Sequence, residues 1–423
     1  MKTGLLIRSL LIWIGVLFLL SSCATYQNKL REPRALLKEG RFSEAIEKLR
    51  PLAEKKSDDQ LVYLMELGSA YQMAGQYKES TEVFLKADRL ADQVDYTSVS
   101  NVTLAALGSE EMIQYKGDSF EKLLINANTA LNSTMLGQFD DALVDARRIN
   151  DKINTIRLAG REDYEKNSFA EYLSGLLWEA DRNFDNAYIS YENAYKIDPS
   201  IPFLAEDLIR GAKKARRQDT YKKWKKEFPS VSENPDWYDK NKGEIVVVIL
   251  QGWGPRKDFS PENRRIPRLY PTSSMTASVR AELVPAVMAS SQDKTQQQNS
   301  KPVYNIEQVA IRTLDADYGW LVARKIGAFA AKEVMADQIR QKNEVLGLVA
   351  WLGMHLSDRA DLRQWSTLPE TVQLARFWVN SGSYRLNLKA LDAGGTLTSE
   401  MTQTPELTVK AGQKTFYLWR PLQ

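Results

Sequence analysis

The chain has 423 residues, with 57 basic and 54 acidic side chains and a formal charge of +3. This length is enough for two or three domains. The near-neutral charge excludes a global electrostatic attraction to nucleic acid. One cysteine, Cys23, and one histidine, His355, rule out an internal disulfide and a zinc cluster of cysteine and histidine ligands. A catalytic triad would have to use His355, for which we expect a structural role.

The N-terminus has the order of features that defines a secretory signal peptide. Lys2 and Arg8 precede the apolar run Leu10–Leu20, which is followed by Ser21-Ser22-Cys23. This run is shorter than the roughly 20 apolar residues that a membrane-spanning helix needs. The segment resembles a bacterial lipoprotein signal, in which the chain is cut before the cysteine and the thiol is acylated. A transmembrane anchor, or a plain signal peptide before an unmodified cysteine, remains the alternative.

The lipoprotein interpretation sets the first two boundaries and the location. We predict a signal peptide over residues 1–22 and a lipidated tether over 23–33, with a formal charge of +1 after cleavage because Lys2 and Arg8 are removed. The residue after the cysteine is Ala24 rather than aspartate. In the lipoproteins that this segment resembles, that absence directs the protein to the outer membrane. We therefore predict a lipid anchor at Cys23, on the periplasmic face of the outer membrane.

Residues 34–230 have the pattern of paired helices separated by glycine turns. The clearest unit begins near Leu61, has the small Gly68 in its first helix and turns at Gly75, and it resembles a tetratricopeptide repeat (TPR) of about 34 residues. A later unit has the small Gly175 at the corresponding place but departs from this pattern at its turn, where Arg182-Asn183 replaces glycine. The stretch Asp118–Glu121 begins a helix with the character of a capping box. Such helix pairs stack into a solenoid because one pair cannot bury its apolar face alone.

A solenoid of this kind presents a concave surface that holds a peptide or a partner protein. The aromatic residues predicted to contact a partner are Tyr71, Tyr77, Phe84, Trp178 and Tyr191. The alternative is that the array is a spacer or a brace for the second domain. The basic segment Lys213–Lys226 carries aromatic residues at helical spacing, for which we expect a solvated face with rings packed inward. Binding of an anionic lipid or a cell-wall polymer is the alternative.

Residues 243–423 predict an antiparallel β-sandwich with an inserted helical segment over 317–359 and a disordered polar loop over 292–301. Part of the insertion, Val345–Leu356, is strongly apolar. The alternatives for this part are burial in the core, an interface with another subunit, and contact with the membrane. The fold class is thus α + β with two domains. The predicted strands are Glu244–Leu250, Ile266–Tyr270, Thr276–Leu283, Val303–Arg312, Val372–Val379, Tyr384–Leu391, Glu406–Lys410 and Lys414–Trp419.

Several stretches resemble a family of bacterial TPR-containing outer-membrane lipoproteins to which no activity is assigned. The chain departs from the family pattern at Leu362, where the family has threonine. The resemblance implies the same two-domain order and supplies no catalytic residue. It implies a structural motif at Asp361, Arg363, Trp365 and Pro369. The matching stretches are Tyr115–Lys122, Asp145–Asn150, Tyr172–Leu176, Ala360–Pro369 and Leu374–Arg376.

These observations predict a non-enzymatic lipoprotein that acts as an interaction scaffold or assembly factor for envelope machinery. The predicted partners are envelope proteins, through the repeat surface, and the outer membrane, through the lipid. We predict no catalytic residue, no metal site, no cofactor and no nucleic-acid partner. One alternative is an envelope hydrolase acting on glycan or peptide, in which Asp361 would be the acid to test. Another is a structural component that oligomerises through Val345–Leu356.

Overall fold

The computed structural model describes residues 26–98, 114–158, 167–286, 295–344, 346–348, 351 and 360–423. Within these ranges the chain has a helical half, up to Glu227, and a β-rich half that begins at Lys242. No helix of the described residues is both long and apolar enough to span a membrane. Cys23 and the predicted signal peptide lie outside the described residues, as does most of the apolar segment Val345–Leu356.

The helical half consists of consecutive antiparallel helices, each packed on the next along the chain. This is the arrangement predicted for stacked helix pairs, in which each pair contacts mainly its neighbours. The first helix of each pair lies on the side that faces the β-rich half, which we call the inner face. The helices are α1 Tyr26–Lys38, α2 Phe42–Glu54, α3 Gln60–Met73, α4 Tyr77–Ser98, α5 Ser119–Met135, α6 Phe139–Leu158, α7 Ser168–Ala180, α8 Phe184–Ile197, α9 Leu204–Lys214 and α10 Gln218–Glu227.

The N-terminal boundary differs from the prediction, because the tether proposed for 23–33 is helical from Tyr26 onwards. Tyr26, Leu30, Pro33 and Leu37 recur at a spacing of three or four residues and are buried, so they form one apolar stripe of a helix. Packing of this stripe against α2 keeps the segment close to the repeats.

Close helix packing at the predicted small positions is confirmed. A Cβ atom built on Gly68 would lie 2.6 Å from the ring of Phe84, and one built on Gly175 would lie 2.4 Å from the ring of Tyr191. Both rings are fully buried. Each glycine therefore lets the two helices of a pair approach more closely than any larger residue would permit.

Replacing Gly175 with alanine is expected to lower the free energy of unfolding by about 1–3 kcal/mol, because the added methyl group overlaps Tyr191. Urea denaturation of the purified chain measures this change. Gly327→Ala is the matched control, since Gly327 also lies in a helix but has no atom within 4 Å of the built Cβ. That variant is expected to gain up to about 1 kcal/mol from helix propensity, and an equal loss in both variants would contradict the packing argument.

The β-rich half contains two larger sheets and a short ribbon. One sheet has the order β11-β1-β7-β6, the other runs β10-β8-β4-β5 with β9 paired to β8, and β2 pairs with β3. The strands are β1 Lys242–Gln251, β2 Arg256–Phe259, β3 Pro267–Tyr270, β4 Ser278–Pro285, β5 Gln296–Asn299, β6 Lys301–Asn305, β7 Thr371–Asn380, β8 Gly382–Leu391, β9 Leu397–Gln403, β10 Leu407–Val409 and β11 Lys414–Trp419.

Three sequence predictions for this half need correction. The sandwich is not purely antiparallel, because β1 and β11 are parallel neighbours. The loop predicted to be disordered over 292–301 contains β5, whose glutamines pair with β4 and gain backbone partners that composition does not reveal. The strand predicted to reach Arg312 ends at Asn305, whose side chain accepts from the Gln308 backbone N–H and caps a helix, α11 Ile306–Lys342. The helical insertion therefore starts before residue 317.

The sheet that contains β1 is buried on both faces, which explains its continuous apolar sequence. Ile245, Val247 and Ile249 face the second sheet and form the core of the sandwich with β4, β7 and β8. Val246, Val248 and Leu250 belong to the core shared with the helices. The sandwich is therefore packed directly on the inner face of the helical half, through the sheet β11-β1-β7-β6.

Candidate functional site: a segment of the chain held on the inner face of the repeats

Residues 360–369, which we call the docked segment, lie in the groove formed by the first repeats. The segment connects the end of the helical insertion to β7 and includes the residues predicted to form a structural motif, Asp361, Arg363, Trp365 and Pro369. Trp365 is 2% exposed, and its ring centroid lies 5.5 Å from that of Phe84 on α4. The groove in which a TPR-like array would hold a partner is thus occupied here by the chain itself.

Hydrogen bonds fix the tryptophan and the residue after it to three helical side chains. The indole Nε1–H of Trp365 donates to Ser69 Oγ at 2.8 Å, and its backbone N–H donates to Glu121 Oε1 at 2.8 Å. The backbone N–H of Ser366 donates to Glu66 Oε1 at 2.7 Å. Buried backbone groups that lack secondary-structure partners require such acceptors. The groove therefore recognises the backbone of the segment as well as its indole.

Arg363 fixes the N-terminal part of the docked segment to the helical half. Its guanidinium forms a two-point contact with Asp361, with N–O distances of 2.9 and 2.7 Å, and reaches Asp59 of the helical half at 3.3 Å. It also lies 5.3 Å from the ring centroid of Tyr115. Through these contacts Asp361 and Arg363 order the segment and join the two halves. The Asp361 carboxylate is engaged by Arg363 through both of its oxygens.

Glu121 is the acid at the centre of this contact. Asp118 and Glu121 form the predicted capping box of α5, and Glu121 Oε2 also accepts from the Tyr115 hydroxyl at 2.7 Å. Burial and the neighbouring Asp118 raise the pKa of the Glu121 carboxyl to about 7, although Lys257 and the Trp365 N–H act in the opposite direction. The sequence pattern identified the cap, but a capping box does not show that the same carboxylate also holds a distant tryptophan.

The raised pKa predicts that the folded state is less stable at neutral pH than in mild acid. Because the folded-state pKa lies above the ordinary value of 4.5, the folded state binds the proton more tightly than the unfolded chain. The stabilisation is then fully present below about pH 4.5 and is lost as the pH rises through about 7. We expect Glu121 to account for about 2 kcal/mol of lost unfolding free energy between pH 5 and 8.

Urea denaturation at both pH values, on the wild type and on Glu121→Gln, measures this contribution. Burial raises the pKa of Asp145 to about 6. Its ionisation therefore lowers the free energy of unfolding over the same pH range in both proteins. The difference between the two pH slopes therefore isolates Glu121. Equal slopes would show that Glu121 does not change its protonation state in this range.

A second contact between the halves is a buried cluster of charges that the sequence analysis did not identify. Arg376 on β7 donates to Asp207 on α9 at 2.9 and 2.7 Å and to Glu244 on β1 at 2.5 Å. Arg210 binds Glu179 on α7 through two hydrogen bonds of 2.8 and 2.7 Å. The other members are Lys214, which binds Glu179, and Lys414, which binds both Glu179 and Glu244.

The cluster keeps its acids ionised in spite of burial. Burial raises the pKa of Glu179, but Arg210, Lys414 and Lys214 hold it well below its usual range. Asp207 shows the same balance, with Arg376 and Arg210 lowering its pKa against burial. A sequence signal did exist, since Glu244 and Arg376 are charged residues within otherwise apolar central strands. Charges at such positions need buried partners.

The five aromatic residues predicted to bind a partner have different positions. Phe84 and Tyr191 are fully buried; Phe84 packs on the chain's own Trp365, and the hydroxyl of Tyr191 donates to Glu179. Tyr77 is half-buried. Tyr71 and Trp178 line open clefts on the helical half. Tyr71 and Trp178 are themselves only 7% and 6% exposed, so Tyr77 is the most exposed of the five, and Phe84 and Tyr191 serve packing.

The basic segment at the end of the helical half matches the structural expectation. Trp224 is buried and stacks on Phe228 at a centroid distance of 5.8 Å, with Tyr195 edge-on to both rings. Lys213 pairs with Glu233 at 2.8 Å. The aromatic residues of this segment are therefore part of the helical core. The described residues also include no group of three or more histidine, cysteine or acidic side chains placed to hold a metal ion.

No protein-family model and no curated protein matches the chain. Similar solved structures include MamA from Desulfovibrio magneticus RS-1, at 17% identity over 48% of this chain and 91% of that chain, with a TM-score of 0.31. Another is a kinesin light chain from Podosopora anserina with nearly identical TPR-like repeats, at 14% identity over 48% and 93%, with a TM-score of 0.33. Such TM-scores support no inference about function, so the repeat architecture rests on the helix pairing described above.

Proposed function

We propose that the chain is a periplasm-facing outer-membrane lipoprotein, anchored through acylated Cys23, that acts as a non-enzymatic scaffold or assembly factor for envelope machinery. The signal-like N-terminus and the family resemblance support the anchor and its location. The helix pairs support a role in protein interaction. The observation that carries the proposal is that the docked segment fills the inner face of the first repeats, while the opposite face of the same helices remains open.

Helix α3 shows this division directly. Successive residues of an α-helix are rotated by about 100°, so Leu64, Leu67 and Tyr71 share one stripe, and Glu66 and Ser69 lie on the opposite side. Glu66 and Ser69 bind the docked segment. The stripe that contains Tyr71 lines a cleft on the outer face. A partner protein is therefore expected on the outer face rather than in the concave groove.

The outer cleft, which we call the Tyr71 cleft, has the chemistry of a protein-binding surface. It has a volume of about 480 Å³ and lies between α2, α3 and α4. Its floor is apolar, and Arg50 donates to the Tyr71 hydroxyl at 3.0 Å. The rim carries both signs of charge, a pattern that favours a protein segment over a polyanion. The rim residues are Arg50, Glu54, Glu79, Glu82, Lys86 and Arg89.

The short connection from the predicted anchor restricts where this cleft acts. Only Ala24 and Thr25 separate Cys23 from Tyr26, the first residue of α1. An extended chain covers at most about 3.6 Å per residue, so Tyr26 would lie within roughly 11 Å of the acylated residue. The first repeats and the Tyr71 cleft would then be held beside the membrane, where a membrane-embedded or membrane-bound partner is reached without a long tether.

Crosslinking in living cells, followed by recovery of the chain and mass spectrometry, tests the scaffold proposal. Arg89→Glu reverses an exposed charge on the rim of the Tyr71 cleft. Arg385→Glu, an exposed position on β8 far along the chain, is the matched control. We expect a reproducible envelope partner that is lost with Arg89→Glu and kept with Arg385→Glu. Recovery of no partner, or equal loss in both variants, would contradict the proposal.

A structural role through self-association also has a supporting observation. In the apolar segment Val345–Leu356, the described Leu346 and Leu348 are 58% and 53% exposed, and Val334 on α11 is 58% exposed. Exposed apolar groups of this kind mark candidate contact surfaces. Light scattering on the full chain should detect an oligomer that Leu346→Ser together with Leu348→Ser dissociates. A monomer at all concentrations would exclude this second role.

A further inference from the structure

A cleft of about 550 Å³ lies where the turn between α7 and α8 meets the turn between β10 and β11. We call it the Trp378 cleft, after the half-buried tryptophan of β7 that forms one wall. Both halves contribute to it, and neither the docked segment nor the Tyr71 cleft reaches it. We propose that the Trp378 cleft binds an anionic sugar, a function that goes beyond protein interaction and does not depend on it.

The first argument is the backbone conformation of Arg182. Gly40, Gly75 and Gly137 occupy the turns of other helix pairs with φ between 72° and 74°, and Arg182 occupies the equivalent turn with φ of 62°. A residue other than glycine pays about 1–2 kcal/mol for this left-handed conformation. Phe203 and Arg216 share this left-handed conformation outside the cleft, so Arg182 is distinguished by its position on the cleft wall. The guanidinium extends to Gly412 in the opposite turn and lines the cleft.

The second argument is the charge balance around the cleft. Glu179 and Glu244 are already neutralised by the arginines and lysines of the buried cluster. Arg182 and Lys240 are exposed at the rim, and no ion pair links either to an acid among the described residues. Among the described lining residues, the one further acid is Asp239, which is balanced against the two cations Arg182 and Lys240. The cleft therefore has more positive than negative charge, which favours an anionic ligand.

The walls of the cleft select the rest of the ligand. Phe184, Trp237, Tyr238 and Trp378 place aromatic rings around a volume that is within the range of about 300–1,000 Å³ typical of small-molecule sites. Flat aromatic faces pack against the C–H face of a pyranose ring, and amphipathic Trp and Tyr side chains combine apolar contact with hydrogen bonding. Lys214 and Lys414 already lie 5.6 Å from the centroid of Trp378, and a bare inorganic anion would contact such cations and leave the remaining ring surface unused. A sugar that carries a carboxylate or a phosphate uses both.

Calorimetric titration of the full chain with four related probes tests the proposal. Glucuronic acid and glucose 6-phosphate share a pyranose and differ in the acid, glucose lacks the acid, and inorganic phosphate lacks the sugar. We expect at least one acidic sugar to bind about tenfold or more tightly than both glucose and phosphate, which corresponds to about 1.4 kcal/mol. The acid that is preferred identifies the ligand as carboxylated or phosphorylated.

A pair of matched variants assigns the binding to the cleft. Arg182→Gly and Arg216→Gly both replace an arginine at positive φ in a repeat turn, but Arg216 lies outside the cleft. Both should keep or raise stability, because the strain is removed. Arg182→Gly is expected to weaken binding of the acidic sugar about tenfold, and Arg216→Gly to leave it unchanged. Absence of binding, equal binding of glucose or phosphate, or equal effects of the two variants would overturn the proposal.

Discussion

Trp365→Ala is expected to lower the free energy of unfolding by about 3–5 kcal/mol, the largest single effect in the docked segment. The change removes the ring that packs on Phe84 and leaves Ser69 without its indole donor inside a closed groove. Urea denaturation of the full chain measures the loss. Limited proteolysis should also show faster cleavage within residues 360–369, because the anchor that holds the segment to the helices is gone.

Two further variants separate this effect from a general surface change. Trp365→Phe keeps a ring beside Phe84 but loses the indole N–H and part of the ring volume, so we expect a smaller loss, of about 1–2 kcal/mol. Met401→Ala alters a side chain that is 68% exposed and should change stability by less than about 0.5 kcal/mol. A Trp365→Ala variant as stable as Met401→Ala would show that the segment is not held in the groove.

Asp207→Ala is expected to destabilise the chain by about 3–5 kcal/mol, because it leaves Arg376 and Arg210 buried without one of their counter-charges. It also removes the acceptor of the Tyr172 hydroxyl. Asp185→Ala is the matched control, since Asp185 binds Arg217 at 2.7 Å but the side chains are 58% and 37% exposed. The exposed pair should contribute less than about 1 kcal/mol.

Urea denaturation of both variants under the same conditions makes the comparison. Because the interface is buried, Asp207→Ala must lower the free energy of unfolding more than Asp185→Ala does. This holds although each aspartate forms an arginine pair of similar length. Similar losses in the two variants would mean that solvent reaches the cluster around Arg376. The sheet β11-β1-β7-β6 would then not be packed on the helices as described.

Local patterns predicted most of the elements. Small residues, turn glycines and apolar periodicity were sufficient for the helix pairs, and Gly68 and Gly175 have the predicted packing role. The capping box at Asp118 was also correct. These features depend on residues that are close in sequence, where spacing determines which side chains meet. The strands around Glu244 and Arg376 were recognised for the same reason.

Long-range contacts could not be predicted in this way. Trp365 and Ser69 are 296 residues apart, and Arg376 and Asp207 are 169 apart, so no local pattern links them. The parallel pairing of β1 and β11 likewise depends on the order of strands in the finished sheet. The sequence analysis did include the alternative that the repeats brace the second half. The docked segment and the buried charges are the physical form of that brace.

The central claim is that the inner groove of the repeats holds the chain's own residues 360–369. A double-mutant cycle between Ser69→Ala and Trp365→Phe tests it most directly, because the hydroxyl and the indole N–H lie 2.8 Å apart only if the segment is docked. We predict a coupling free energy of about 0.5–1.5 kcal/mol in urea denaturation. Effects that add to within about 0.3 kcal/mol would contradict the docked arrangement.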